Sequence, residues 1–398
     1  MKIPARWLAI SLFVVSSALH YLDRQLFAAL ISPIRAEFNW SYADYGAVVA
    51  YFSVVYAVAA PLMGLLIDRI GLNAGVTIAV GGWSLATIGT GLSAGGGQFI
   101  VSRLALGLGQ GGGIPASGKA MSTYLEPSER ALGNALSQIG ISVGLVAAPL
   151  LAGWIAPLYG WRAAFLVGGA LGMVWIPLWW LMAKSAPVQP VAAGAIQTTP
   201  AEMMRLRTYW GLVAATMLAM TVYSLWTNFT TAYFVKAREL NPTMVNRTLA
   251  WIPPLIGGFG GIAGGTLSMR LIRAGANAAS ARRRVALIAA VLVAMTTALV
   301  PLTKSDALTV ICIAVSYFCS SGLSVNLYAL PIDIFGPKRA AFGVASLTCA
   351  YGVMQTFFLP WAGRMIDTQG FQPVCWAAAV LPVAGVGLLY ATREKSHS

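Results

Sequence analysis

The chain has 398 residues, of which 58% are hydrophobic and 10% are charged, and its formal net charge is +14. Its mean hydropathy is +0.73. Soluble domains carry about 25% charged residues, so this composition excludes a soluble globular protein and predicts an integral membrane protein.

Twelve apolar stretches are long enough to cross a bilayer as helices, which takes about 20 residues each. They run over residues 7–33, 42–67, 73–94, 97–124, 131–156, 161–183, 209–235, 245–272, 285–303, 307–335, 339–366 and 371–391. The first stretch has the basic start of a signal peptide, but it lacks a small-residue cleavage site and contains Asp23 and Arg24. We therefore interpret it as a retained first helix and predict an all-α membrane protein with twelve transmembrane helices.

The basic residues concentrate in the loops on one side of these helices, which predicts that both termini are cytoplasmic. Arg282, Arg283 and Arg284 lie in one short interhelical loop. Such a loop favours contact with anionic lipid headgroups over contact with nucleic acid. We expect a multi-pass, monomeric protein of a bacterial cytoplasmic (inner) membrane.

The chain also repeats itself with a displacement of 210 residues. Three loop landmarks in the first half return in the second, where Pro127, Gly133 and Gly160 are matched by Pro337, Gly343 and Gly370. This spacing predicts two pseudo-symmetric six-helix bundles, residues 1–183 and 207–398, joined by a cytoplasmic linker over 184–206. Two parallel halves around a central site are the arrangement that supports alternating access.

Asp23, Arg24 and Arg103 are charged residues placed deep inside apolar spans. A charge inside the membrane is costly, so such a residue faces a cavity or a partner. Because a guanidinium stays protonated, the arginines predict that the transported molecule is an anion. The alternative is a permanent structural ion pair between Arg103 and Asp23.

Residues Gly64 to Gly71 read GLLIDRIG, which resembles the GxxxDRxG loop of the major facilitator superfamily. In this position we expect Gly64 to let helices approach closely, and Asp68 with Arg69 to form part of a cytoplasmic gate. The alternative is a charged loop that only sets topology. In the second half Met269 replaces the acid, so a second gate of this kind is in doubt.

Further matches extend over both halves of the chain. They are Tyr21–Gln25, Arg103, Pro115, Lys119, the segment 126–131 with Glu126 and Arg130, Gly160–Phe165, Trp251–Pro253 and Ser324–Leu327. Together they resemble the anion:cation symporter branch of that superfamily, which includes hexuronate and D-galactonate transporters and the animal sialic acid and vesicular glutamate carriers. By this resemblance we add Glu126 and Arg130 to the gating residues.

The resemblance implies roles for the charged residues of the first half. Arg24 and Arg103 match the arginines implicated in holding or balancing the substrate carboxylate, and Asp23 is the expected proton-coupling group. The glutamate that proton-coupled members carry seven residues after the second arginine is Gln110 here, which cannot titrate. His20, where bacterial relatives commonly have asparagine, is either a second proton group or a hydrogen-bonding replacement.

Polar and aromatic residues in other spans are candidates for the rest of the binding site. They are Tyr56, Gln138, Tyr223, Trp226, Asn228, Asn326, Tyr328 and Gln355. Their hydroxyls and amides would bind substrate hydroxyls, and their rings would stack on its apolar face. Alternatively, the aromatic residues anchor the helices at the lipid interface and the amides bridge helices.

The four cysteines lie in predicted spans without metal-ligand spacing, and no group of acids and histidines has catalytic spacing. We therefore expect no enzyme activity, metal or cofactor. The sequence predicts a secondary active transporter of a small organic anion, such as a hexuronate, a hexonate or a related carboxylate, coupled to protons. An uncoupled facilitator or anion exchanger is the alternative, and a non-transporting membrane sensor is a remote one.

Overall fold

The computed structural model describes residues 5–125, 130–183, 200–335 and 337–392, and most of them are helical. The helices of the first half are α1 Ala5–Ala29, α2 Ile31–Phe38, α3 Tyr42–Ile70, α4 Leu72–Gly91, α5 Gly96–Gln110, α6 Gly113–Tyr124, α7 Arg130–Tyr159 and α8 Trp161–Ala183. Those that follow are α9 Pro200–Met204, α10 Arg207–Ala219, α11 Thr221–Ala237, α12 Pro242–Thr248, α13 Ile252–Arg273, α14 Ala278–Leu299, α15 Asp306–Phe335, α16 Pro337–Gln369 and α17 Phe371–Ala391, with a short 3-10 turn Val300–Leu302 after α14.

Every predicted span is largely helical in the described residues. Ten segments among them are long and apolar enough to cross a membrane, and they match ten of the predicted spans. The first predicted span is α1, which carries the charged pair Asp23 and Arg24, and the fourth is divided between α5 and α6.

Apart from the turn at Leu30 near the end of the first span, three predicted spans are interrupted, and prolines explain two of these three breaks. Pro115 has no N–H to donate to the carbonyl of Gly111, where α5 gives way to α6. Pro253 and Pro254 likewise cannot donate to residues 249 and 250, where α12 ends before α13 begins. The third break, between α10 and α11 at Met220, has no proline nearby.

The chain divides into two compact units. Unit 1 takes its residues from Met1–Ala193 and Glu239–Trp251, and unit 2 from Gly194–Arg238 and Ile252–Ser398. The sequence places residues 239–251 in the second bundle, whereas they pack with unit 1. Residues 184–199 of the predicted linker lie outside the described residues, so the linker itself stays a prediction.

The internal repeat has a counterpart in backbone geometry. Gly160 precedes α8 with a φ of 80°, and Gly370 precedes α17 with a φ of 81°. Side chains rarely adopt this left-handed region, which explains why glycine stands at both positions. Gly133 and Gly343 both lie against neighbouring side chains, and a Cβ on Gly343 would be 2.7 Å from Pro331 Cβ. The first landmark, Pro127, lies outside the described residues.

Glycine contacts hold α1 against α7 in unit 1. A Cβ on Gly140 would lie 2.5 Å from the Val14 carbonyl oxygen, and one on Gly144 would overlap the carbonyl oxygen of Ala18. Small residues four positions apart let two helix backbones approach closely inside a membrane. This packing fixes the position of α1, which carries the predicted site residues.

One end of unit 1 is held by an ion pair between Glu37 of α2, which lies outside the predicted spans, and Arg162 at the start of α8. Arg162 donates to both carboxylate oxygens of Glu37, at 2.6 and 2.8 Å, and to the Ser93 carbonyl at 2.9 Å. The Trp161 indole donates to Glu37 at 2.7 Å. The hydrogen bonds from Arg162, and then from Trp161, lower the pKa of Glu37 below its ordinary range. Trp161 and Arg162 at the start of α8 therefore join this helix to α2 and to the loop after α4.

Candidate functional site

Asp23 is fully buried in α1, and neither oxygen of its carboxyl group has a hydrogen-bond partner among the described residues. The Thr87 hydroxyl is a neighbouring polar group, but it donates to the Trp83 carbonyl at 2.9 Å. Gly168 of α8 provides the space for the carboxyl group, since a Cβ there would lie 2.6 Å from Asp23 Oδ1. An ionised carboxylate in this setting would be very costly, which favours the neutral acid.

Arg103 of α5 is also buried, with 3% of its surface exposed. Its guanidinium donates to the backbone carbonyls of Asp23 and Arg24, with Nη to oxygen distances of 3.4 and 3.3 Å. The structure therefore does not contain the alternative ion pair between Arg103 and the Asp23 carboxylate. Arg103 instead places a permanent positive charge against the backbone of α1.

Arg24 is half-buried and extends over aromatic rings of α3. Its guanidinium carbon lies 4.8 Å from the centre of the Phe52 ring and 5.4 Å from that of Tyr56. The guanidinium carbon of Arg103 is 5.5 Å from the same Phe52 ring. The aromatic faces attract the cations, so Tyr56 and Phe52 help to position the two arginines.

His20 and Gln110 bind each other through two hydrogen bonds. The His20 ring nitrogen Nε2 lies 3.2 Å from the Gln110 carbonyl oxygen, and the Gln110 amide donates to the His20 carbonyl at 2.8 Å. A carbonyl partner requires a proton on Nε2. The pair thus joins α1 to α5 at the break before α6. This contact is the one expected if His20 replaces the asparagine of bacterial relatives as a hydrogen-bonding residue. The Gln110 side-chain oxygen is buried without a partner among the described residues.

The described residues reveal part of the predicted gate. Gly71 ends α3 with a φ of 87°, which explains the last glycine of the motif. Gly64 does not need to be glycine for close packing, because a Cβ there would make an ordinary contact of 3.5 Å with Pro115. Arg69 is exposed. Glu126 and the side chains of Asp68 and Arg130 lie outside the described residues, so their gating role stays a prediction.

In the second half, where Met269 replaces the acid of the motif, an ion pair forms between other residues. Met269 is exposed on α13. Arg282, at the start of α14, donates instead to the carboxylate of Asp333 near the end of α15. This pair joins two helices of unit 2 at the end where the sequence predicts cytoplasm.

Three tyrosines from different helices lie close together in unit 2. The ring centre of Tyr223 on α11 lies 4.9 Å from that of Tyr317 on α15 and 6.5 Å from that of Tyr351 on α16. The hydroxyls of Tyr317 and Thr227 are 2.9 Å apart. The tyrosines place hydroxyl groups and ring faces together inside membrane spans.

Amide side chains extend this polar group. The Gln355 amide donates to Ser224 Oγ at 3.0 Å and to the Tyr351 hydroxyl at 3.1 Å. Asn228 is one turn from Ser224 and donates to its carbonyl at 2.8 Å. The structure thus brings the predicted residues Tyr223, Asn228 and Gln355 together: Asn228 and Gln355 both bind Ser224, and the ring of Tyr223 contacts that of Tyr351.

Four other candidates have different surroundings. Trp226 is buried with its indole N–H donated to Ser316 Oγ at 3.1 Å. Asn326 is buried and its amide donates to carbonyls of α13 and α15 at 3.2 and 2.9 Å, so it bridges helices. Tyr328 packs against the apolar core of unit 2, and Gln138 is exposed on α7. These contacts are those of packing or surface residues, and substrate contact by them stays a prediction.

Several neighbours of the site were not singled out from the sequence. Phe52, Thr87 and Gly168 surround the charged residues of α1, and Tyr317 and Tyr351 complete the tyrosine group. Three of them, Thr87, Tyr317 and Tyr351, could have been found from the sequence, because each carries a hydroxyl group inside an apolar span. Phe52 and Gly168 are ordinary residues of such spans, and only the packing of the helices reveals their position.

The Major Facilitator Superfamily model matches residues 13–281 of the chain. The hexuronate transporter of Escherichia coli strain K12 is 26% identical over 408 residues, covering 98% of this chain and 94% of that protein. The probable sulfoacetate transporter of Cupriavidus necator is 25% identical and covers the same shares. The galacturonate transporter of Dickeya chrysanthemi is 27% identical over 66% of this chain and 81% of its own length.

The fold is also found among solved structures. A crystal structure of a bacterial homolog of the human lysosomal transporter Spinster superposes with a TM-score of 0.76, at 19% sequence identity, covering 98% of this chain and 96% of that one. The family model spans more than half of the chain, and the all-helical membrane architecture agrees with it. The chain therefore belongs to the major facilitator superfamily of membrane transporters.

Proposed function

We propose that this protein is a secondary active transporter that carries a small organic anion, a sugar acid such as a hexuronate or hexonate or a related carboxylate, together with a proton. It would work by alternating access in a bacterial cytoplasmic membrane, with both termini in the cytoplasm. The observation that carries the proposal is the carboxyl group of Asp23, which is fully buried, has no hydrogen-bond partner among the described residues and lies near the charge of Arg103.

Arg24 is the residue that we assign to the substrate carboxylate. It is half-buried, whereas the guanidinium of Arg103 faces backbone carbonyls. The Arg24 guanidinium lies over the rings of Phe52 and Tyr56, and a planar guanidinium can form two parallel hydrogen bonds to a carboxylate. Arg103 would support the anion through its charge, because a buried charge is little screened.

Asp23 would carry the proton. In the described conformation its surroundings favour the neutral acid, since the carboxyl group is buried and has no hydrogen-bond partner among the described residues. Access of water to this carboxyl group would favour ionisation, and the charges of Arg24 and Arg103 would then stabilise the carboxylate. A carboxyl group that alternates between these two settings can load and release a proton in each cycle.

The pairing of His20 with Gln110 supports a simple coupling. Gln110 cannot titrate, and both hydrogen bonds between Gln110 and His20 can form while the His20 ring is neutral. We therefore propose that Asp23 alone carries the coupled proton. An uncoupled facilitator or an anion exchanger is the second candidate, which the replacement of the family glutamate by Gln110 favours.

The tyrosine and amide group of unit 2 supports a hydroxylated substrate. Tyr223, Tyr317 and Gln355 offer hydroxyl and amide groups within one cluster of membrane helices. Sugar acids carry both a carboxylate and several hydroxyls, and relatives of this chain are named as hexuronate and galacturonate transporters. We propose that this group selects among organic anions by their hydroxyls.

The test is uptake of labelled glucuronate and galactonate into liposomes that contain the purified protein, with an imposed pH gradient. The wild-type protein should accumulate one of these anions when the outside is acidic. Asp23→Asn should abolish accumulation but preserve exchange of labelled for unlabelled anion across the membrane. Equal dependence on the pH gradient in both proteins would refute proton coupling by Asp23, and binding without flux would indicate a sensor.

A further inference from the structure

The guanidinium of Arg103 and the carboxyl group of Asp23 are buried near each other, yet they do not bond. The carboxyl group has no hydrogen-bond partner among the described residues, and neither has Nε of Arg103. A guanidinium and a carboxylate in such a setting normally pair, because each satisfies the other. Other contacts in unit 1 must therefore hold the guanidinium away from the carboxyl group.

The hydrogen bonds of Arg103 place its guanidinium beyond Asp23 along α1. The acceptors are the backbone carbonyls of Asp23 and Arg24. A helical carbonyl points toward the residue four positions later, whereas a side chain tilts toward the N-terminus of its helix. The guanidinium therefore lies beside the turn that carries Phe27, and the Asp23 side chain is directed away from that turn. Both bonds, at 3.4 and 3.3 Å, are longer than the typical length of about 2.9 Å, so they hold the guanidinium only weakly.

Two aromatic rings supply further contacts to this guanidinium. The guanidinium carbon of Arg103 lies 5.2 Å from the centre of the Phe27 ring and 5.5 Å from that of Phe52. Attraction between a cation and a ring face is strongest where water is excluded. Phe52 also contacts Arg24. Phe27 is therefore the ring that can be changed with the least effect on Arg24.

The ring of Phe27 is itself held in place by other rings. Phe27 is buried, and its ring centre lies 4.7 Å from that of Tyr45 on α3 and 4.9 Å from that of Phe99 on α5. Phe99 stands one turn before Arg103 on the same helix and contacts the ring of Trp161 at 6.0 Å. Aromatic pairs at these separations stabilise packing. Phe27 thus has a fixed position between α3 and α5.

We propose that Phe27 is a positioning residue of the proton site, whose ring, together with that of Phe52, keeps the guanidinium of Arg103 from pairing with the carboxyl group of Asp23. This inference rests on the proposed role of Asp23 as the proton carrier. A direct ion pair would hold Asp23 in its ionised form, because an adjacent cation favours the charged state of a carboxyl group. With Arg103 held over the rings, Asp23 remains able to bind a proton.

Arg103 is the charge that a change at Phe27 would move. The groups of α4 and α8 that face Asp23 are uncharged. Among the described residues, the charged or titratable groups near it are His20 and Arg24 of its own helix and Arg103 of α5. His20 bonds to α5, and Arg24 lies over rings of α3. A change at Phe27 therefore acts on Asp23 through Arg103.

The test follows protonation of Asp23 by infrared spectroscopy of the full-length protein in nanodiscs, without substrate. The band of the protonated carboxyl group is assigned by its loss in Asp23→Asn and is titrated with pH. Phe27→Leu should raise the proton concentration needed for half protonation at least about tenfold, the effect of an arginine beside a carboxylate. Trifluorophenylalanine at position 27 keeps the ring but weakens its attraction for cations, and it should change the midpoint in the same direction. Phe13→Leu is the matched control, since Phe13 is a buried residue of α1 whose ring contacts Trp179, and it should leave the midpoint unchanged.

The same change in an Arg103→Gln protein separates positioning from packing. Phe27→Leu should not alter the titration of Asp23 there, because the charge that the ring positions is absent. The proposal would be overturned by midpoints in both position-27 variants equal to that of Phe13→Leu, or by an equal change with and without Arg103. If the wild-type protein has no titrating Asp23 band, Asp23 is not the proton carrier and the proposal fails with it. The two failures are thus distinguished, and neither readout requires transport.

Discussion

Gly168 gives the carboxyl group of Asp23 the space that it occupies, so Gly168→Ala should disturb the proposed proton site directly. The added Cβ would lie 2.6 Å from Asp23 Oδ1, 3.2 Å from Leu26 Cδ1 and 3.3 Å from Leu22 Cδ2. The first distance is shorter than van der Waals contact. The carboxyl group must therefore move within a buried setting or α8 must shift away from α1.

The cost can be estimated from packing and helix propensity. Adding a methyl group to a packed core costs about 1–3 kcal/mol. Alanine favours the interior of a helix by about 1 kcal/mol over glycine. The net destabilisation should be about 0–2 kcal/mol, so the variant should fold. Its proton-driven uptake should fall much more than its stability, because the altered group is the proposed proton carrier.

The assay compares uptake driven by a pH gradient with anion exchange in the same liposomes. Gly172→Ala controls for crowding elsewhere on α8, since its Cβ would overlap Ser84 Oγ rather than Asp23. Gly118→Ala controls for the change of residue alone, as no atom lies within 4 Å of its Cβ. If proton-driven uptake by Gly168→Ala equals that of Gly118→Ala, the reasoning about Asp23 is refuted.

Three further changes test other parts of the account. Gly370→Ala should lower stability by about 1–3 kcal/mol, because its φ of 81° and ψ of −169° lie in a region that essentially only glycine adopts; thermal unfolding should show no such loss for Gly97→Ala, whose Cβ meets open space. Glu37→Gln should lower the melting temperature above pH 4.5, the ordinary glutamate pKa, and the difference should vanish as the pH falls through the lowered pKa of the folded state; an equal difference at every pH would contradict an ionised Glu37. Tyr317→Phe should weaken binding of polyhydroxylated acids about two- to tenfold through the lost hydroxyl, with little effect on acids that lack hydroxyls; equal weakening of both classes would argue against hydroxyl selection.

Periodicity and composition were sufficient to predict the helices, because a membrane span requires a long apolar run and the loops between spans carry the charges. The repeat was visible for a physical reason as well, since Gly160 and Gly370 both hold a left-handed conformation. The breaks in three spans were not predicted, although Pro115, Pro253 and Pro254 were present in the sequence. Prolines are tolerated in many membrane helices, so their presence alone does not locate a break.

The charged residues of the site could also be predicted, because Asp23, Arg24 and Arg103 stand out in apolar spans. The contacts of these three residues could not be predicted. Proximity in a helical bundle depends on the rotation of each helix, and the structure shows Arg103 on backbone carbonyls rather than on the carboxylate of Asp23. For the same reason the sequence could not distinguish the surroundings of Asn326, Trp226 and Gln355, which are all polar candidates in apolar spans. In the structure Asn326 binds a backbone carbonyl and Trp226 binds Ser316, whereas Gln355 binds Ser224 beside the tyrosines.

Recognition of an organic carboxylate by Arg24 is the central claim, and ligand-dependent melting of the purified protein tests it most directly. Hexuronates, hexonates, dicarboxylates and amino acids should be compared at concentrations near 100 times the dissociation constant, where a ligand of the folded state adds about 2.7 kcal/mol. The account predicts that a sugar acid raises the melting temperature of the wild-type protein and of Arg273→Ala, whose arginine is exposed at the end of α13. The increase should be reduced in Arg24→Lys and absent in Arg24→Ala. An equal increase in Arg24→Ala, or no increase with any carboxylate, would contradict it.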